Sequence, residues 1–135
     1  MLCAHEHATA AISDPGDGSV ERSSLSELLL ESILAAWALT KYDLQLGQRA
    51  AFYLPNDQRA VVWIEAAKRL GVPYVAIAGG TSSHSVAERL GDTGASVLVT
   101  DDSLRILAQE ALRAVRGARR LKKCSLASWT NRARI

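Results

Sequence analysis

The sequence predicts an α/β fold, a partial doubly wound parallel sheet in three α/β/α layers. Two observations predict it. Three short apolar runs, residues 49–54, 72–78 and 96–100, are rich in β-branched or aromatic side chains and have strand length. Two segments with helical spacing, residues 56–70 and 82–92, lie between them. Strand, helix, strand, helix, strand calls for parallel neighbours joined by right-handed crossovers, with helices on both faces.

Residues 1–23 come before this pattern. They are rich in Ala, Ser, Asp, Gly and His, and 14–18 read Asp-Pro-Gly-Asp-Gly, a turn cluster without a periodic neighbour. This stretch is expected to be a flexible leader. Cys3, His5 and His7 offer thiolate and imidazole donors that suit zinc. A structural zinc site needs about four such ligands, and no second pair accompanies them, so no metal site is assigned.

Residues 24–42 have the features of a helix. Ser24 followed by Glu27 forms a capping-box pattern. Leu29, Ile33 and Trp37 stack at i, i+4 spacing, and Leu30 and Leu34 widen the stripe. Glu27 and Glu31 mark the wet face. The stripe is expected to pack on the sheet, with Trp37 as core filler. Residues 43–47 close the helix.

Residues 49–54 form the first strand of the pattern, and Pro55 ends it because it lacks the N–H a strand would donate. Asn56 or Asp57 can cap the next helix. Ala60, Ile64 and Ala67 line one of its faces, and Glu65 and Arg69 mark the wet one. Gly71 suits the left-handed stop position. Residues 72–78 are apolar at both alternations, the pattern of a strand covered on both sides. They lead into Gly79-Gly80-Thr81-Ser82-Ser83 and a helix. Such a turn can hold phosphate through backbone N–H groups, or it can simply be a tight strand-to-helix turn. Neither a G-x-x-x-x-G-K-[ST] nor a G-x-G-x-x-G pattern decides between the two. His84 has no nucleophile or carboxylate partner indicated and reads as a surface residue. Arg89 reads as a helix-end charge and Asp92 as a turn former. After the third strand, Leu104, Leu107, Leu112 and Val115 outline an amphipathic helix to about residue 115.

The segment from residue 49 to residue 100 resembles the adenylate-forming acyl-CoA synthetases, most of all their acetyl- and propionyl-CoA synthetase branch. The residues that carry the resemblance are Tyr53-Leu54-Pro55-Asn56, Leu70-Gly71, Gly79-Gly80, and the ungapped series Ser82, Ala87, Arg89, Leu90, Asp92, Gly94, Ala95, Val97, Leu98, Val99 and Thr100. The resemblance implies that residues 24–116 are a partial AMP-binding-type domain, the N-terminal subdomain of the family's large domain. It implies a full-length relative that joins a short carboxylic acid to CoA through an acyl-adenylate, using ATP and Mg. It also points to Gly79, Gly80 and Arg105 as CoA contacts. Here the aromatic residue that usually precedes the Gly-Gly pair is Ala78, and of the Arg-rich segment that meets CoA phosphates only Arg105 is present, beside Asp101 and Asp102. The family's phosphate-binding loop, of the form [ST]-[SG]-G-[ST]-[ST]-G-x-P-K, does not occur in these 135 residues. No catalytic residue is assigned, and no ligase activity is expected from these residues alone, because acyl-adenylate formation needs cations and backbone donors on the phosphates.

Composition sets further bounds. A chain of 135 residues holds one domain at most. No apolar run approaches the roughly 20 residues that span a bilayer. The amino terminus lacks the basic and apolar regions of a secretion signal. Two cysteines near opposite ends do not make a disulfide framework, and a cytoplasmic location follows as the expectation. Eight of the sixteen Lys and Arg fall between residues 113 and 134, and all fourteen acids precede them. Residues 117–135 are therefore expected to be a basic, disordered tail. With Trp129 as its one stacking residue and no RNA-binding motif, nucleic acid is not expected as its partner. The implied partner is the remainder of a synthetase domain or another protein chain. Two other functions stay open at this point: a small Rossmann-like module that binds a nucleotide or CoA at 79–83, and an interaction protein acting through its basic tail.

Overall fold

The structure, a computed structural model, describes residues 7–14, 16–117 and 125–128. Its centre is a four-stranded parallel sheet. The strands are β3 (Ala50–Leu54), β4 (Tyr74–Ala78), β5 (Val97–Thr100) and β6 (Ser125–Ser128), in the order β4-β3-β5-β6. The three predicted strands are parallel neighbours, with β3 in the middle: Ala50 pairs with Tyr74 on one side and with Val97 on the other. The helices are α1 (Leu25–Thr40), α2 (Gln58–Leu70), α3 (Ser83–Thr93) and α4 (Arg105–Gly117), the last preceded by a short 3-10 turn, Asp102–Leu104.

Period-2 alternation in β3 sorts the two faces. Ala50, Phe52 and Leu54 point into a core with α1, α2, Val97 and Val99. Ala51 and Tyr53 point into a second core with Ile77, Leu98, α3 and α4. All five β3 residues are buried, as a central strand between helical layers requires.

Local signals act where the sequence places them. The Ser24 side chain accepts from the Glu27 N–H, and Glu27 accepts from the Ser24 N–H, so the capping box closes and α1 starts there. Asp57 caps α2, and Gly71 ends it at φ 65°.

Several expectations are corrected. The leader is not featureless: β1 (Thr9–Ser13) and β2 (Glu21–Ser24) form an antiparallel hairpin. A backbone bond from Leu25 to Ala8 and a side-chain bond from Ser23 to Gln58 hold it against α1 and α2. Within the basic tail, Ser125–Ser128 adds a parallel strand beside β5. Cys3 and His5 lie outside the described residues, as do residues 118–124 and 129–135.

Residues 72–78 are not covered on both sides. β4 is an edge strand in which Ile77 alone is buried. Tyr74 stacks on Phe52 at 5.8 Å between ring centroids but remains partly exposed.

In α2 the buried residues are Val62, Trp63, Ala66 and Ala67, so the core-facing stripe centres on Trp63 rather than on Ala60 and Ile64. Glu65 pairs with Lys68 rather than with Arg69. The largest departure is in α1. Its buried residues are Ser32, Ala35, Ala36 and Leu39, while Leu30, Ile33, Leu34 and Trp37 are exposed. The helix therefore presents its large apolar stripe to solvent and its small residues to α2. Two polar contacts accompany this rotation: the Arg69 guanidinium donates to Ser32 Oγ at 2.9 Å, and Gln58 donates to Glu31 at 3.2 Å.

Candidate functional site at the carboxyl end of the sheet

From β3 the chain turns through α2 to β4 on one side, then crosses through α3 to β5 on the other. The strand order thus switches direction at β3. In open α/β sheets the crevice outside the carboxyl ends at such a switch is where ligands bind. Three loops meet there, after β3, β4 and β5. The two sides of the crevice are built differently.

On the β4 side, the buried Tyr53 hydroxyl donates to the Thr81 carbonyl at 2.7 Å, with the Gly79 carbonyl a longer second acceptor at 3.3 Å. Burial pushes the phenol pKa up, so Tyr53 stays a neutral donor. It pins the Gly79–Gly80 turn to the central strand. The two glycines have different reasons for being there. A Cβ on Gly79 would lie 3.2 Å from Pro55 Cα, 3.2 Å from Leu104 Cδ1 and 3.3 Å from the Leu54 carbonyl, so this residue is where the three loops touch. A Cβ on Gly80 would meet nothing within 4 Å, and Gly80 is exposed, so its backbone is open to a ligand. Beyond it, Ser82 caps α3 by accepting from the Ser85 N–H at 3.3 Å.

On the β5 side stands an ion-pair network. Asp57 takes Arg59 through its Nε at 3.0 and 3.1 Å, while Arg59 Nη1 reaches Asp101 at 2.6 Å. Asp101 is 4% exposed and also accepts from Ser103 Oγ at 2.8 Å and the Leu104 N–H at 3.2 Å. The hydrogen bonds that Arg59 donates to Asp57 are the main cause that pushes the Arg59 pKa still higher. One cation engaged by two carboxylates carries no surplus charge for a phosphate. This side is a clamp that ties the α2 N-terminus to the end of β5.

The predicted site residues can now be placed. Gly79, Gly80 and Arg105 come to the same end of the sheet: Leu104, which touches Gly79, immediately precedes Arg105. Arg105 opens α4, is half-exposed, and stands 4.0 Å from Asp102. His84 is exposed and lies 3.5 Å from Glu88, within a shallow groove between α3 and α4 that also takes in Arg89 and Asp92. No group of three metal-ligating side chains forms among the described residues.

Arg59 and the Tyr53 hydroxyl were not singled out by the sequence, and Asp101 was named only as an acid near Arg105. Asp57 signals only a helix cap, and nothing local reveals that Arg59 crosses to a residue 42 positions later.

Comparison with known proteins places this architecture. The family model described as AMP-binding enzyme matches residues 3–132. The chain belongs to the AMP-binding enzyme family. Acetyl-coenzyme A synthetase of Burkholderia thailandensis is 35% identical over 112 residues, which are 76% of this chain and 17% of that protein. The enzyme of the same name from Cupriavidus metallidurans is 34% identical over 113 residues, 77% of this chain and 17% of that protein. The chain thus spans about one-sixth of the length of these relatives.

Among solved structures, the acyl-CoA synthetase of Brucella canis superposes on 95% of this chain and 22% of its own, with a TM-score of 0.75 at 19% identity. A benzoate CoA ligase from Burkholderia xenovorans LB400 covers 81% of this chain and 21% of its own, with a TM-score of 0.69 at 16% identity. The layered α/β arrangement of this chain is the fold of the matched part of both.

Proposed function

We propose that this AMP-binding chain forms the CoA-facing rim of an AMP-forming acyl-CoA synthetase that activates a short carboxylic acid. The observation that carries the reading is the convergence of the open Gly80 backbone and Arg105 at the carboxyl end of the sheet, through the Gly79–Leu104 contact. Backbone N–H groups at the start of α3 and one guanidinium suit the phosphates of CoA. Asp102 beside Arg105 competes for that guanidinium, so affinity at this rim alone is weak. ATP and Mg act elsewhere in the complete enzyme, because no phosphate-loop sequence occurs among these residues. The partner implied is the rest of a synthetase domain, and a cytoplasmic location goes with that reading. Residues 24–116 are the AMP-binding unit proper in this proposal. No helix among the described residues is long and apolar enough to cross a membrane.

The test is a CoA titration followed by amide NMR. The Gly80, Ser82 and Arg105 signals are expected to shift, and Arg105→Ala should weaken binding about ten-fold or more, from the loss of a charge-assisted bond of about 1.5–3 kcal/mol. The chain alone, given acetate or propionate with ATP and CoA, should release no pyrophosphate above background. Shifts confined to other amides would end the rim assignment, and measurable turnover would end the reading that catalysis needs further sequence.

A further inference from the structure

The exposed stripe of α1 has the spacing of a helix-pairing seam. Glu27, Leu30, Leu34, Trp37 and Lys41 follow one another at intervals of three, four, three and four, the heptad repeat of a coiled coil. All five are exposed: Leu30 is 59%, Leu34 37% and Trp37 62% accessible, and Ile33 beside them is 48%. The opposite face is packed on α2 through Ser32, Ala35, Ala36 and Leu39. A helix with apolar residues on two faces normally buries both. No described residue covers this one.

We propose that the α1 seam is a homodimer contact, in which α1 of a second copy of this chain packs antiparallel across a two-fold axis at Leu34. The arrangement of charges selects this occupant and this orientation. Glu27 and Lys41 each stand seven residues from Leu34, on opposite sides of it. A two-fold axis at Leu34 therefore sets Glu27 of each copy against Lys41 of the other, at both ends of an apolar centre of Leu30, Leu34 and Trp37. Antiparallel helices also oppose their dipoles favourably. A parallel pair would bring like charges together at each end. Lys41 already lies over the Trp37 ring at 3.7 Å, which holds the ammonium beside the seam. A self-complementary patch of this kind is what a two-fold interface requires.

The seam from Glu27 to Lys41 is about 21 Å long at about 1.5 Å per residue. One such ridge buries less than the roughly 1,200 Å² of a standard stable interface, so the dimer is a weak one, forming on the order of 10–100 μM. The inference does not depend on the acyl-CoA reading.

The experiment is sedimentation velocity on the full chain from about 5 to about 500 μM. A concentration-dependent monomer–dimer equilibrium is expected. Leu34→Glu, which puts two carboxylates on the axis, should weaken it at least about ten-fold. Lys41→Glu should weaken it as well, and the double exchange Glu27→Gln with Lys41→Glu, which removes the facing carboxylate but keeps an acceptor for the Ser24 cap, should restore part of it. If Leu34→Glu fails to fold, Leu34→Cys in a Cys3→Ser, Cys124→Ser background decides, since a short bismaleimide should then link two copies at the axis.

A monomer at every concentration overturns the proposal. So does a dimer that Leu34→Glu leaves unchanged, which would point to the open β4 edge, or a double exchange that restores nothing. A chain that stays monomeric while its tryptophan emission shifts with phosphatidylcholine–phosphatidylglycerol vesicles assigns the seam to a lipid surface and overturns the dimer.

Discussion

Two tryptophans on adjacent helices of one layer stand in opposite surroundings. Trp63 on α2 is 2% exposed and packs against Phe52, with ring centroids 6.0 Å apart. Trp37 on α1 is mostly exposed and is met by Lys41. Both helices carry apolar stripes at helical spacing, yet α2 turns Val62 and Trp63 inward while α1 turns Leu30, Ile33, Leu34 and Trp37 outward. The difference comes from the surface each helix meets. α2 lies on the sheet, where Phe52 leaves room for a large ring between strand and helix. α1 lies on α2, and two helices approach closely only where small side chains meet. Ala35 and Ala36 on one and Ala66 and Ala67 on the other supply that contact. Placing Leu30, Ile33 and Trp37 between the helices would hold them apart.

The contrast is sharpest if the two rings are removed in turn. Trp63→Ala is expected to cost about 3–5 kcal/mol, by loss of transfer energy and creation of a cavity. Trp37→Ala should stay within about 0.5 kcal/mol when measured on dilute, monomeric protein. Urea denaturation of both variants reads the difference. Equal losses would mean that α1 also buries its large stripe, and the comparison would fall.

A smaller effect tests the close approach itself. Ala35 is completely buried, so Ala35→Leu should overpack the α1–α2 contact and cost about 1–3 kcal/mol. A neutral or stabilising result would show that α1 can rotate to present the other face. The smallest effect tests the polar pin. Ser32 Oγ accepts from Arg69 and donates to the Leu29 carbonyl, and Ser32→Ala should cost about 0.5–1.5 kcal/mol. Because Arg69 is exposed and water can replace the lost acceptor, the lower end is expected. Were the loss as large as for Ala35→Leu, polar registration rather than side-chain volume would set the rotation.

The carboxyl end of the sheet was only partly legible in the same way. The Gly79–Gly80 turn and Arg105 stood out as a pair, but the reason for each glycine did not. Gly79 is small because Pro55, Leu54 and Leu104 crowd its Cβ position, and these neighbours come from two other loops. Arg59 attracted no notice, because a guanidinium two residues after a capping Asp looks like a local pair. Its bond to Asp101 exists only after β3 and β5 have become neighbours.

The sequence by itself determined whatever depends on one element and its own period. It determined three parallel strands, the start of α1 at Ser24, the start of α2 to within Asn56 or Asp57, the stop at Gly71, and family membership through the residues that make those turns. Tertiary structure decided whatever depends on a neighbour's shape. It decided that β4 is an edge, that Ser125–Ser128 pairs beside β5, that the hairpin lies against α1 and α2, and that α1 shows Trp37 to solvent. Periodicity establishes that a face is apolar. Which of two apolar faces is buried follows from side-chain volumes at the contact, and those belong to two elements at once.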